Sequence, residues 1–273
     1  MTALEEWQEH LAAYRREREQ PEEQSWEQFS QWYDSWVFSN DYVERTLSRL
    51  QPHLGPTTRV LEIGPGSGAF TLVLAPIVKE IIAVEPAPSM RAILNRNLSA
   101  NDVTNVEIIP GRIEDFLQDE EGTFDLALAS YSLYDVESMD IVIRGLTRLS
   151  RHLFILMGTG EPLKWRQDLY RHFKGKDRLR PPQFGHFYPI LLEMGIFADV
   201  EIIWVSANYV YNSEEELVEW WMKNLQLDGL SRDELREALL EIAEPREEQI
   251  GIYSRRRAAL VWIDSERSVI RQK

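Results

Sequence analysis

Two rhythms of apolar positions alternate along the middle of the chain. Short apolar runs recur at residues 59–63, 80–85, 105–110, 123–129 and 152–157. Between them, at 69–78, 88–100, 112–118 and 138–149, apolar residues return every three or four positions. The runs predict buried strands and the wider spacing predicts helices. A strand-helix series of this kind predicts an α/β fold, a doubly wound and mostly parallel sheet with helices on both faces. Its connections are expected to be right-handed, and its ligand site to lie at the carboxyl ends of the strands.

The flanks follow other patterns. Leu4, Trp7, Leu11 and Tyr14 predict an amphipathic helix over residues 1–20, ended by Pro21. Ser25 and Gln28 have capping-box spacing ahead of a helix that carries Trp26, Phe29, Trp32, Tyr33, Trp36 and Val37. So many aromatics exceed one narrow stripe. They either bury as a helical cap or partly line a ligand cleft. A third helix is expected over 41–50, then a linker. Leu163 to Phe187 is basic and aromatic and ends near Pro181 and Pro182; Tyr188 to Met194 reads as a helix stopped by Gly195. A strand at 200–205, two helices opened by Ser213 with Glu216 and Ser231 with Glu234, and a strand at 257–263 complete the pattern. The organisation expected is a helical cap at 1–56, a core at 57–160, an insertion covering the cleft at 161–187, and the rest of the sheet and its helices at 188–273.

Composition narrows the function classes. The 273 residues are 44% hydrophobic, enough for one large core, and include no cysteine. Disulfides, thiolate metal sites and cysteine nucleophiles are thereby excluded. The formal net charge of −15 disfavours nucleic-acid binding through phosphate neutralisation. The five histidines lack metal-ligand spacing, so no metal is expected. The polar, acidic N-terminus does not read as a signal peptide, and no long apolar run predicts a membrane span. A cytoplasmic protein is the expectation.

One stretch carries chemistry. In Arg59-Val-Leu-Glu-Ile-Gly-Pro-Gly-Ser-Gly-Ala-Phe70, an apolar run stops at Gly64, and Gly64, Gly66 and Gly68 alternate with Pro65 and Ser67. Glycine serves where backbone takes positive φ or a ligand approaches the main chain. Such a turn, opening onto a helix N-terminus, suits a nucleotide or a carboxylate. The spacing is G-x-G-x-G, not the G-x-G-x-x-G of dinucleotide sites, which argues against a nicotinamide dehydrogenase. The second strand ends in Glu85, about 20 residues on, where doubly wound folds place the acid that grips ribose hydroxyls. Glu85 also fits as an acid at a helix N-terminus, since Pro86 and Pro88 follow.

Glu62-Ile-Gly-Pro-Gly-Ser-Gly68 and Val84-Glu-Pro86 together resemble the class I S-adenosylmethionine-dependent methyltransferases. The resemblance runs motif by motif over roughly 57–160. It implies a seven-stranded sheet whose last strand inserts antiparallel between the fifth and sixth, and S-adenosylmethionine as cofactor. It implies cofactor contacts for Gly64, Pro65, Gly66 and Gly68, with Glu85 on the ribose and Ala87 and Met90 by the adenine. Glu62 either sits near the cofactor's amino group or is a buried acid met by loop amides. Tyr33, in Tyr33-Asp-Ser-Trp36, is similar to an aromatic that reaches the methionine end. Gly111-Arg-Ile-Glu-Asp-Phe116 resembles the adenine-reading segment, with Arg112 in place of the usual first acid, Glu114 or Asp115 as acceptor and Ile113 against the ring. A capped short helix explains that segment equally. Thr123 to Val136 is similar to the fourth-strand motif of small-molecule enzymes, placing Ser130 and Tyr131 over the cofactor. The Pro-Pro-Tyr and Leu-Pro-Tyr loops of nucleic-acid methylases are absent.

The reading is therefore a methyltransferase acting on a small molecule. Tyr131, Tyr134, Asp135 and His186 are the candidate catalytic groups, with a structural role open for His186. Arg166, Arg171 and Arg178 are candidate contacts for an anionic acceptor, since the fold sets the segment after the fifth strand beside the site. A solvated loop balancing acidic surface is the plainer alternative. A macromolecular acceptor (RNA or protein) and a non-catalytic cofactor-binding subunit are the rival functions.

Overall fold

The computed structural model describes residues 1–17, 32–33 and 36–267. Helices α1 (Ala3–Glu17) and α2 (Tyr42–Leu50) precede an alternating series. This runs β1 (Arg59–Ile63), α3 (Thr71–Leu74), β2 (Glu80–Glu85), α4 (Pro88–Ala100), β3 (Val106–Pro110), α5 (Ile113–Asp119), β4 (Phe124–Ser130), α6 (Met139–Leu149) and β5 (Ser150–Gly158). Next come α7 (Lys164–Lys174), α8 (Phe184–Glu193), β6 (Asp199–Ser206), β7 (Tyr209–Tyr211), α9 (Glu214–Leu225) and α10 (Arg232–Leu240). Strands β8 (Glu244–Arg246), β9 (Gln249–Ile252) and β10 (Arg255–Asp264) follow.

Seven strands form one sheet in the order β3-β2-β1-β4-β5-β10-β6. Strands β1 to β5 pair in parallel, and β10 runs antiparallel to both β5 and β6. The chain winds outward from β1 to β3, then returns to β4 on the other side of β1. The order therefore reverses between β1 and β4, and a doubly wound sheet binds ligands at that switch point.

Both faces of the sheet are covered. Trp7 of α1, Leu117 of α5, Met139 and Ile143 of α6 and Phe187 of α8 bury against Leu61, Ala127 and Ile155 on one face. Leu50 of α2, Leu74 of α3 and Leu94 of α4 bury against Val60, Leu126 and Phe154 on the other. Strands with apolar residues on both faces belong between two helical layers. Helix α1 is fastened as well as packed: Trp7 Nε1 donates to Val136 O at 2.7 Å, and Glu193 accepts from Ala3 N–H at 2.9 Å.

A second, three-stranded sheet, ordered β7-β9-β8, has its own aromatic cluster with α7, α9 and α10, centred on Trp220, Trp221 and Tyr209. Ser213 caps α9 by accepting from Glu216 N–H at 3.1 Å.

Three local readings are corrected. Helix α3 is one turn long, because Pro76 removes the next helical donor. Helix α8 begins at Phe184, where Gln183 and His186 form a reciprocal capping box, and it contains Pro189. Ser231 makes no cap bond, and Glu234 instead meets the His172 ring at 2.9 Å. The Ser25–Gln28 cap, Trp26 and Phe29 lie outside the described residues. Among the described residues no helix is long and apolar enough to cross a membrane, and no cluster of side chains could hold a metal.

Candidate active site

The glycine turn follows β1 at the switch point. Gly64, Gly66 and Gly68 have φ of +62°, +58° and +97°. These are conformations that side chains other than glycine adopt only with strain. There is also no room for a Cβ: one on Gly64 would lie 2.6 Å from Ser132 Cβ, and one on Gly66 would lie 2.9 Å from the Tyr33 ring. Tyr33 packs on this turn and on a small buried cluster of Ala87, Met90 and Ile93. The structure thus brings together Tyr33, Gly66, Ala87 and Met90, which the sequence assigned to one ligand from distant motifs.

Two buried carboxylates stand behind the turn. Glu85 accepts from Gly66 N–H at 3.1 Å and from Ala87 N–H at 2.9 Å, tying β2 to the glycine turn. Burial raises its pKa, opposed by those two amides and Arg91. Each carboxylate oxygen retains a lone pair for a hydroxyl donor. Glu62 is only 3% exposed and accepts from Thr71 Oγ1 at 2.7 Å. Burial, with Glu85 adding repulsion, pushes its pKa to about 7 against the single favourable bond from Thr71. Neither carboxylate has a salt-bridge partner among the described residues. Ser67 Oγ in the turn is also buried without a partner. A glycine cradle with two buried acids and an orphan hydroxyl fits a cationic, hydroxyl-bearing ligand, as S-adenosylmethionine is.

Glu85→Ala removes an acceptor for the ligand and leaves two buried N–H groups unpaired. It is expected to weaken cofactor binding by about 2–3 kcal/mol and to lower stability by about 1–3 kcal/mol. Calorimetry with S-adenosylhomocysteine and thermal unfolding check both. Unchanged affinity with reduced stability would leave Glu85 as a structural clamp only.

The loop after β4 closes the other side. Tyr131 has φ of +54°, a strained conformation for a bulky residue, and such strain gathers at functional sites. Its hydroxyl is buried, and its pKa is raised by that burial against the nearby Arg256 charge. Tyr42 packs edge-on against its ring, and the Arg256 guanidinium stands 4.5 Å from the ring centroid. Ser130 ends β4 beside Leu156, and the Ser132 hydroxyl is buried and unpaired against Gly64.

The other candidate bases are occupied. Tyr134 Oη accepts from Gly158 N–H at 2.7 Å, and burial pushes its pKa far up. Asp135 is ion-paired with Arg15 of α1 at 2.8 Å. His186 Nδ1 accepts from Gln183 N–H at 3.2 Å in the α8 cap; burial and the neighbouring His10 ring push its pKa down. Asp135 is thus tied to α1, and His186 to the α8 cap. In the segment after β3, Arg112 donates to Asp135 O at 2.9 Å and to Glu114 at 3.3 Å, while Ile113 is buried in the core. Arg112 thus fastens one site loop to the other.

The candidate acceptor-binding arginines divide. Arg171 points outward and pairs with Asp168 and Asp177. Arg166 and Arg178 turn inward: Arg166 Nη1 donates to Tyr209 Oη at 2.9 Å, and Arg178 Nη1 to Asn224 Oδ1 at 3.2 Å. Sequence reading missed Arg256. Its signal was the triplet Arg255-Arg256-Arg257 opening an antiparallel strand, which sets those arginines at the carboxyl ends of the parallel ones.

Comparison with known proteins agrees with this geometry. Residues 61–153 match the family model described as a methyltransferase domain. An uncharacterized methyltransferase of Staphylococcus carnosus is 30% identical over 125 residues, covering 44% of this chain and 56% of that protein. Protein-L-isoaspartate O-methyltransferase 2 of Rhodopseudomonas palustris is 34% identical over 87 residues, covering 32% and 39%. The chain thus spans about half or less of the length of these curated relatives. A crystal structure from Bacillus halodurans C-125, described as a methyltransferase, superposes with a TM-score of 0.53 at 14% identity, over 80% of this chain and 98% of that one. That likeness is one of fold. The glycine turn, the acid ending β2 and the loop after β4 all lie within the segment that matches the methyltransferase-domain model.

Proposed function

We propose that this protein transfers a methyl group from S-adenosylmethionine to a small-molecule acceptor. The observation that carries the reading is the glycine turn at positive φ, clamped to buried Glu85 and backed by buried Glu62. When bound, the cofactor supplies an activated methyl on a cationic sulfur, so little is asked of the protein beyond alignment. Gly64, Gly66 and Gly68 admit the ligand to the backbone. Glu85 accepts hydroxyl donors, and Glu62 supplies negative charge near a cationic group. The aromatic faces of Tyr33 and Tyr131 exclude water and favour a cation. With Tyr134 and Asp135 tied and His186 in a cap, the site supplies positioning rather than a strong general base.

Two observations support a small acceptor over a macromolecule. The exposed basic side chains of the 163–187 segment are neutralised locally: Lys164 by Asp168, Arg171 by Asp168 and Asp177, Lys176 by Glu17. They do not form a bare docking patch. Arg166 and Arg178 are half-buried, where a flat surface does not reach.

Calorimetry with S-adenosylhomocysteine and with NAD tests the cofactor assignment. The former is expected to bind and the latter not; tighter binding of NAD sinks the reading. Labelled-methyl transfer to a panel of small metabolites, to RNA and to protein then separates the acceptor classes. Binding without transfer to any of them points to a non-catalytic subunit.

A further inference from the structure

Several arginines of this acidic protein hold a carboxylate. Arg15, Arg49, Arg59, Arg171, Arg236 and Arg257 each form such a pair. Among the described residues Arg166, Arg178, Arg180 and Arg256 do not, although all four are half-buried. Their described partners are neutral. Arg166 donates to Tyr209 and lies 5.6 Å from both the Tyr209 and Trp221 ring centroids. Arg178 donates to Asn224 and lies over Tyr170; Arg180 donates to Glu161 O at 3.0 Å. Arg256 stands over Tyr131 and Trp36. The Nε atoms of Arg166 and Arg256 are buried without a hydrogen bond among the described residues.

The four charges also act on one another. Burial, then the Arg166 charge, lowers the pKa of Arg178 to about 10, and the same two causes lower that of Arg180. Arg256 bears on Arg180, while Arg256 itself, against the cost of its burial, is held up by Tyr131 and Tyr134. Tyr134 is tied to the end of β5, and Tyr131 follows β4 directly. The cluster therefore sits at the carboxyl ends of the strands, beside the loop that faces the glycine turn. Unpaired cations removed from water are costly, and they persist where something else supplies the counter-charge. Arginine's planar fork suits carboxylate or phosphate oxygens. Arg256 also lines an open groove of about 900 Å³ that carries Glu161, Asp168, Glu234, Glu237 and Glu241. Arg166, Arg178 and Arg180 do not line it.

We infer that Arg166, Arg178, Arg180 and Arg256 form a binding site for a small dianion, a dicarboxylate or a phosphomonoester, and that this group belongs to the methyl acceptor. The role as acceptor rests on the methyl-transfer reading; the binding of the anion does not.

The test uses the full chain, with inorganic phosphate and succinate as probes against sodium chloride at matched ionic strength and neutral succinamide. Phosphate or succinate is expected to raise the unfolding midpoint above chloride and succinamide, as a ligand of the native state must. Whichever of the two acts more strongly identifies the anionic group. In the double variant Arg178→Gln with Arg180→Gln, anion affinity is expected to fall at least tenfold, while S-adenosylhomocysteine affinity stays within twofold. The ligand-free variant is expected to unfold at the same temperature or higher, because two uncompensated charges are gone. The inference is overturned if neither anion exceeds chloride, if the variant binds them unchanged, if it also loses S-adenosylhomocysteine, or if its ligand-free midpoint falls by several degrees. A short RNA that binds more tightly than both anions and is displaced by them would also overturn it, in favour of a nucleic-acid backbone. Failure of the unaltered protein to bind S-adenosylhomocysteine would sink the methyl-transfer reading while leaving the anion result to stand by itself.

Discussion

Gly66→Val is expected to abolish cofactor binding and to lower stability at once. A β-branched residue at φ of +58° is strained, by about 1–3 kcal/mol. Its Cβ would meet the Tyr33 ring at 2.9 Å, in the space proposed for the ligand. S-adenosylhomocysteine affinity should drop at least a hundredfold, about 3 kcal/mol. Gly175→Ala separates strain from occupied space. Gly175 also has positive φ, +68°, at the end of α7, with nothing within 4 Å of an added Cβ. That variant should lose about 1 kcal/mol of stability and bind the cofactor normally. Normal affinity in Gly66→Val, measured by calorimetry, would show that the turn is not the cofactor's seat.

The second large effect is a pH dependence set by Glu62. Its pKa rises from an ordinary 4.5 to about 7 on folding, chiefly through burial. The native state therefore holds this proton more tightly than the unfolded chain does. Below pH 4.5 the group is neutral in both states and carries no penalty. As pH rises from 4.5 to 7 the unfolded chain ionises first, and stability falls by about 3 kcal/mol, levelling off above 7. Glu62→Gln keeps an acceptor for Thr71 and removes the titration. It should match the unaltered protein in acid and exceed it by a few kcal/mol at pH 8, as denaturant unfolding across pH would show. A cationic ligand reverses the balance by favouring the ionised acid. Cofactor binding near pH 6 should then release a proton, detected as a calorimetric heat that varies with the buffer's ionisation enthalpy, and the variant should lose that release. No proton release in the unaltered protein would place the ligand's cation away from Glu62.

The sheet was legible because its strands are local apolar runs that need no distant partner to be recognised. Residues 59–63, 80–85 and 88–100 have the bounds that spacing predicts. The glycine turn was legible for the same reason, since its backbone demand is written in three adjacent residues. Elements that depend on distant partners were not. Asp135 reads as a candidate base until Arg15 is seen beside it, and His186 until Gln183 and His10 are. Strands β7, β8 and β9 are three or four residues long, and Glu244-Pro245-Arg246 is fully exposed, so no apolar alternation marks it. Arg256 stands at the carboxyl ends of the parallel strands only because β10 runs backwards between β5 and β6, which its own neighbours in sequence do not reveal.

That insertion of β10 also dictates when the molecule can finish folding. Ala258 pairs with Gly158 and Arg255 with Ser206, so strand β10 must wait for synthesis to pass residue 264 before it can join partners made long before. Until then β5 is the edge of the sheet, nine residues long with apolar side chains on both faces, and β6 has no neighbour in that sheet at all. An unpaired, flat, apolar edge is a template for the wrong strand, including the β5 of another nascent chain. During translation the protein is thus most exposed to aggregation over its last stretch, between the emergence of β6 and the arrival of β10. Chains released before residue 255 keep that open edge permanently and are expected to accumulate as insoluble material rather than as a partly active core.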